Sequence, residues 1–182
     1  LAAVVMLCAA GSPAFAQAPL GAKPVYTDRA LTAVPNGQAI GQRIWVPGLD
    51  DGYVPQGLTV VGDAVFVGAY KSADRKQDRG PCRLFRIDPQ RGTITGMLDI
   101  PPACGHAGGL AKGPAGTLYV VDTRVVFEVA LGGASDAAIG RVTKTIKLGG
   151  AVKGSFAAGS ADALWLGAFE RRDGAKLYRI PH

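Results

Sequence analysis

Short apolar runs separated by polar and turn-forming residues dominate the chain from about position 58 onwards. The first stretch contains four such runs, at 58–61, 65–70, 83–88 and 93–100. Turn residues stand between them, for example Gly62-Asp63 and Pro89-Gln90-Arg91-Gly92. Runs of this length that are bounded by Gly, Pro and Asp are typical of β-strands that reverse at tight turns. The pattern therefore predicts four short antiparallel strands.

This pattern recurs along the chain. Residues 63–70 (DAVFVGAY) match residues 162–169 (DALWLGAF) conservatively at every position, 99 residues further on. Residues 83–87 (RLFRI) match residues 176–180 (KLYRI), 93 residues further on. A middle copy has its two runs at 116–122 and 125–129. The sequence therefore predicts a repeat with a period of about 50 residues.

The second run of each copy is apolar at nearly every position, which predicts a strand with both faces buried between neighbouring sheets. Aromatic residues hold equivalent places in the copies and are predicted to form the core between sheets. They are Phe66, Tyr119 and Trp165 in the second strands and Phe85, Phe127 and Tyr178 in the third strands. Four-stranded sheets that stack at this period are typical of β-propeller blades.

In this repeat pattern the region from Ile44 to His182 resembles the class of exported bacterial β-propellers that includes gluconolactonase-like and NHL-type repeat proteins. The resemblance implies an all-β fold with about three four-stranded blades. A β-sandwich and a β-helix are the alternatives. A sandwich does not require a segment to recur 99 residues later in the chain. A β-helix repeats at a much shorter period.

Three blades are fewer than the four or more of known propellers. The run Ile44-Trp45-Val46 is in phase with the outer strands, which predicts an additional outer strand without a blade of its own. We expect residues 44–182 to be a fragment of a larger propeller, completed by further blades. The alternative is a short protein that closes its ring by forming an oligomer.

The N-terminal residues predict export. Residues 1–10 (LAAVVMLCAA) carry no charge, and Ala14-Phe15-Ala16 has the small-x-small pattern of a signal-peptidase site. The apolar run is shorter than the roughly 20 residues that span a bilayer, so we expect no stable membrane anchor. The sequence thus predicts a signal peptide at 1–16, a Pro-containing linker at 17–43, and a periplasmic or secreted protein.

Composition narrows the classes of partner. An apolar content of 48% with 19% charged residues argues against disorder, and 26 Gly with 12 Pro fits a fold rich in turns. The net charge is +6, but the basic residues are scattered along the chain, so we expect no nucleic-acid partner. An acidic small ligand or an anionic cell-surface polymer remains compatible with this charge.

Removal of the signal peptide leaves two cysteines, Cys82 and Cys104. An even number of cysteines in an oxidising compartment predicts a disulfide. The alternative is a pair of buried thiols that pack as small hydrophobic groups.

Candidate binding residues collect at one end of the predicted sheets. In a four-stranded meander, the connections from strand 2 to strand 3 and from strand 4 to the next strand 1 share one end, here called the upper rim. The upper rim is predicted to carry a binding site for a small-molecule or protein ligand. Its candidate ligand-binding residues are Tyr70, Lys71, His106, Asp122, Arg124 and Glu170.

Two of these residues raise the question of catalysis. His106, flanked by Gly105 and followed by Gly108-Gly109, forms an oriented general base or a metal-ligand pair if it meets Asp122. The alternative is that His106 bonds to a turn and Asp122 caps a loop. Two ligands are too few for a closed zinc site, and no nucleophile elbow or phosphate loop occurs, so no metal or other cofactor is predicted.

These observations favour an exported propeller that binds a ligand or a protein partner at the upper rim. The alternative is a lactonase-like or esterase-like hydrolase that uses His106 and Asp122 with residues from further blades. Only the resemblance implies that alternative, because one fold hosts many functions.

Overall fold

The computed structural model describes residues 18–182 except positions 75, 77, 136, 172 and 173, so the predicted signal peptide at 1–16 lies outside the described residues. The described part is all-β, with eleven strands and one short 3-10 turn at Gly37–Ala39. The strands form three antiparallel sheets, each a meander in chain order. The predicted all-β class is confirmed.

The first sheet contains β1 (Tyr53–Val61), β2 (Ala64–Lys71), β3 (Cys82–Asp88) and β4 (Thr93–Asp99). The second contains β5 (Gly109–Lys112), β6 (Thr117–Asp122), β7 (Val125–Leu131) and β8 (Gly140–Lys147). The third contains β9 (Phe156–Gly159), β10 (Ala163–Gly167) and β11 (Leu177–Pro181). Two of the sheets therefore have the predicted four strands, and the third has three among the described residues.

Neighbouring sheets pack face to face. The first strand of the second sheet, β5, contacts both β1 and β9, so the first strands of the three sheets lie side by side. One core cluster joins Phe66 of the first sheet to Val120 and Phe127 of the second. Another joins Tyr119 of the second sheet to Leu166 of the third. Both faces of β6 are thus buried, which explains its uninterrupted apolar run.

The aromatic residues occupy equivalent positions in the three sheets. Phe66, Tyr119 and Trp165 are each the third residue of a middle strand. The residue after each of them pairs with the third-strand aromatic residue, which is Phe85, Phe127 or Tyr178. The second and third strands of the three sheets therefore pair in the same register at these residues.

Burial of these middle-strand residues differs. Phe66 is 3% exposed and Tyr119 is 8% exposed, whereas Trp165 is 37% exposed. Phe156 and Leu177 pair with Gly167 and share a face with Trp165, and both are also exposed. The prediction that Trp165 belongs to the core between sheets is wrong for the described residues, because none of them forms a sheet over this face.

Residues 18–52 form no regular strand, and the part around Gly48 lies against the first sheet. Ile44 makes one isolated parallel bridge with Leu20, so the outer strand predicted at residues 44–46 is not formed. Gly48 has a φ of +79°, and a Cβ at this position would lie 2.9 Å from the Phe85 ring. This close approach covers Phe85, which is buried with Ala69.

Candidate functional site

A disulfide ties together two connections of the upper rim. Cys82 begins β3, Cys104 lies between β4 and β5, and their Cα atoms are 5.8 Å apart. The predicted disulfide is therefore present, and both half-cystines are buried. It holds the loop that leads into β5, which we call the His106 loop (residues 104–108), against the start of β3 in the first sheet.

The His106 loop crosses the first sheet at very short range. The carbonyl oxygen of Ala107 lies 2.9 Å from where a Cβ would stand on Gly57 of β1 and on Gly68 of β2. Ala107 itself is fully buried and has a φ of +53°, in the left-handed region that costs a non-glycine residue free energy. Two glycines on paired strands thus make room for the loop.

Asp122, the last residue of β6, fixes the His106 loop from the other side. Its carboxylate Oδ2 accepts the backbone N–H groups of Gly105 and His106, and its Oδ1 accepts the N–H of Thr123. The residue is only 4% exposed. All three donors are backbone groups, so this buried carboxylate is hydrogen-bonded to the surrounding protein.

The imidazole of His106 does not complete a hydrogen-bonded pair with this carboxylate. Its Nδ1 lies 3.8 Å from Asp122 Oδ1, which is longer than a hydrogen bond. The geometry therefore matches the alternative in which Asp122 caps a loop. It does not contain the oriented general base that the sequence also allowed.

A cavity of about 500 Å³ opens beside His106, between Gln56 of β1, Gly108 before β5 and Phe156 at the start of β9. Polar side chains line it together with two phenyl rings. They are Gln56, His106, Lys153, Ser155, Phe156 and Phe169. This volume lies within the range of small-molecule pockets in proteins.

Local backbone features position side chains in the cavity wall. The β1–β2 register shifts between Pro55 and Gly57, so Gln56 is a bulge residue without a partner in the ladder. A bulge redirects a side chain out of the regular alternation, which brings Gln56 to the cavity. The hydroxyl of Ser155 accepts the N–H of Phe169 at 3.1 Å and joins the two segments of the cavity wall.

Four of the six predicted binding residues lie in or next to this site. His106 and Asp122 line the cavity. The ring of Tyr70 meets the imidazole edge on, with centroids 5.4 Å apart, but Tyr70 itself is buried. Glu170 pairs with Lys153, whose Nζ is 3.5 Å from Oε1.

The other two predicted binding residues, Lys71 and Arg124, do not line the cavity. Lys71 follows Tyr70 on β2 and so emerges on the opposite face, where its ammonium lies 5.7 Å from the ring centroid of Tyr53. Arg124 donates to the carbonyl oxygens of Gly150 at 2.9 Å and Val152 at 3.3 Å. It holds a loop and does not line the cavity.

Sequence reasoning missed five of the lining residues. The connection between β8 and β9 contains Lys153 and Ser155, and Phe156 is the first residue of β9. The prediction that such connections form the upper rim therefore covers these residues as well. Phe169 follows the second strand of the third sheet and is the counterpart of Tyr70 in the match of residues 63–70 with 162–169. Gln56 has no such signal, because a bulge depends on strand pairing.

A larger cavity of about 900 Å³ lies at the opposite ends of the strands and includes Asp63, Gln90 and Arg86. The Arg86 guanidinium there donates to Thr95 Oγ1, Thr95 O and Gly133 O, at 2.8–3.0 Å. This cation already serves to join two sheets. We therefore regard the smaller cavity at the upper rim as the better candidate site.

No protein-family model matches the chain, and no curated protein matches it significantly. Within the described residues, no helix is long and apolar enough to cross a membrane.

Proposed function

We propose that this chain is an exported β-propeller module that binds a small polar ligand in the upper-rim cavity. The observation that carries the proposal is that the first strands of the three sheets lie side by side, and that Gln56 of β1, Gly108 before β5 and Phe156 of β9 line one cavity. Propellers commonly place their binding sites where the inner strands of several blades converge.

The propeller arrangement is supported by the equivalence of the three sheets. Each sheet is a meander with an aromatic third residue in its middle strand, and each neighbouring pair buries a core of the same kind. Export to the periplasm or the cell exterior is supported by the disulfide, which persists in oxidising compartments.

The cavity wall favours a hydroxylated carboxylate as the ligand. Gln56 supplies an amide, His106 an imidazole and Lys153 an ammonium group, which together donate to hydroxyl and carboxylate oxygens. The rings of Phe156 and Phe169 offer apolar contact. Asp122 is occupied by backbone donors, so the site is better suited to binding than to proton transfer.

Calorimetric titration with a panel of sugar acids and hydroxy acids tests this proposal. We expect the Lys153→Gln variant to bind about tenfold more weakly or worse, because a charge-assisted hydrogen bond contributes roughly 1.5–3 kcal/mol. Lys112→Gln, at the other end of β5, is the matched control and should bind like the parent. Equal loss in both variants, or no binding by the parent, contradicts the proposal.

The hydrolase alternative is tested on the same samples with lactones and esters. Turnover by the parent that disappears in His106→Ala would replace the binding proposal with a catalytic one. We expect no turnover that depends on His106, because its imidazole has no hydrogen bond to Asp122.

A further inference from the structure

The disulfide lies directly against the buried carboxylate of Asp122. The sulfur atoms of Cys82 and Cys104 and a carboxylate oxygen of Asp122 all lie within 4.8 Å of one another. Each of the three residues is less than 5% exposed. The imidazole Nδ1 of His106 is 3.8 Å from Asp122 Oδ1. Three side chains with metal-ligating atoms therefore meet in one small volume, and His106 lies next to it on the side of Asp122.

Such a set becomes a metal site only when the disulfide is reduced. A dithiol reductant supplies two electrons and two protons, which break the S–S bond and leave two thiols while the dithiol becomes a disulfide. Zinc then binds the two sulfurs as thiolates, and their two protons pass to solvent. The Cα atoms are 5.8 Å apart, so both sulfurs reach one ion from their present backbone positions.

The carboxylate keeps a free position for the metal. Oδ2 of Asp122 already accepts two backbone N–H groups, whereas Oδ1 accepts only the N–H of Thr123. Oδ1 is also the oxygen that lies 3.8 Å from His106 Nδ1. The backbone donors would hold the carboxylate in place around the ion, as supporting groups do in known metal sites.

We propose that the upper rim contains a redox-controlled zinc site. In the oxidised protein Cys82 and Cys104 form the disulfide and bind no metal. In the reduced protein the two thiolates and Asp122 Oδ1 bind Zn²⁺, with His106 as the fourth ligand in a tetrahedral set. Binding draws the imidazole toward Asp122 and so changes the wall of the neighbouring cavity.

Cobalt is the probe for this site, because thiolate-bound tetrahedral Co²⁺ absorbs in the near ultraviolet and in the visible range. All samples carry Cys8→Ser, so that only Cys82 and Cys104 supply thiols. We expect the dithiol-reduced protein to give both absorptions with one Co²⁺ per chain, and Zn²⁺ to abolish them. The oxidised protein should give neither absorption.

Variants test the ligand set. Asp122→Asn and His106→Ala should each weaken Co²⁺ binding by more than about tenfold, since loss of even a supporting group costs 10-fold to 100-fold. The exposed Asp63→Asn variant is the control and should bind like the parent. If circular dichroism shows that Asp122→Asn is unfolded, the His106→Ala result decides whether the assigned ligand set is correct.

The proposal is overturned if the reduced and folded protein gives no thiolate–cobalt absorption. It is also overturned if His106→Ala binds Co²⁺ as tightly as the parent, because the assigned ligand set is then wrong.

Discussion

The backbone N–H of His106 donates to Asp122 Oδ2 at 3.1 Å, while the imidazole of the same residue lies 3.8 Å from Asp122 Oδ1. One carboxylate thus fixes the path of the His106 loop, while the ring lies beside it without a hydrogen bond to it. The side chain that looks like a catalytic partner in the sequence is, in the structure, a support for the cavity wall.

Removing this carboxylate should be costly. In Asp122→Ala, three backbone N–H groups lose their acceptor in a buried place, and each such loss costs about 1–3 kcal/mol. We expect the free energy of unfolding, measured with urea, to fall by at least about 3 kcal/mol. Asp63→Ala, at an exposed turn, is the control. Similar stability of the two variants would show that Asp122 is not a structural cap.

The close passage of Ala107 over the first sheet makes a second prediction. Gly68→Ala places a methyl group 2.9 Å from the carbonyl oxygen of Ala107, so strand and loop must separate. We expect a loss of about 1–3 kcal/mol in the free energy of unfolding, as for other overpacked sites. Gly149→Ala meets no atom within 4 Å and should be close to neutral. An unchanged Gly68→Ala protein would contradict the described path of the loop.

Much of the fold was predictable from local pattern because strand length, turn residues and the two-sided burial of β2 and β6 are short-range properties. Phe66 and Tyr119 were placed correctly for this reason. The exposure of Trp165 was not predictable, because it depends on which sheet covers its face.

The site was predictable only in part. The prediction of an upper rim placed His106, Asp122 and Tyr70 together, because the connections of a meander alternate between its two ends. It failed for Lys71 because alternate residues of a strand face opposite sides of a sheet. It missed Gln56 because a bulge is set by pairing with a partner strand.

The disulfide should contribute measurably to stability. Cys82 and Cys104 are 22 residues apart, and closing a loop of this size in the unfolded chain is worth about 3 kcal/mol. We expect the Cys82→Ala/Cys104→Ala double variant to lose about this free energy of unfolding in urea. The parent treated with a dithiol in the absence of metal should lose a similar amount. A double variant as stable as the oxidised parent would contradict this expectation.

One ion pair at the edge of the first sheet predicts a pH dependence. The hydrogen bond from Arg83 lowers the pKa of Asp99, so the folded protein favours the ionised carboxylate more than the unfolded chain does. The resulting stability is present above the unfolded pKa of about 4 and is lost as the pH falls through the lower folded pKa. Asp99 is 71% exposed, so the contribution is only about 0.5 kcal/mol.

The Asp99→Asn variant measures this contribution. At neutral pH we expect its free energy of unfolding to lie about 0.5 kcal/mol below that of the parent, and at about pH 2 the difference should vanish. Asp63→Asn serves as the control at both pH values. A difference that grows in acid would have the wrong sign for a lowered pKa.

Backbone amide chemical shifts during titration with a sugar acid show whether the three sheets share one binding cavity. We expect a bound ligand to shift the amides of Gln56, His106 and Ser155 together, because residues from all three sheets line this cavity. Shifts confined to one sheet, shifts around Arg86 at the opposite end, or no shifts with any acid of the panel would contradict it.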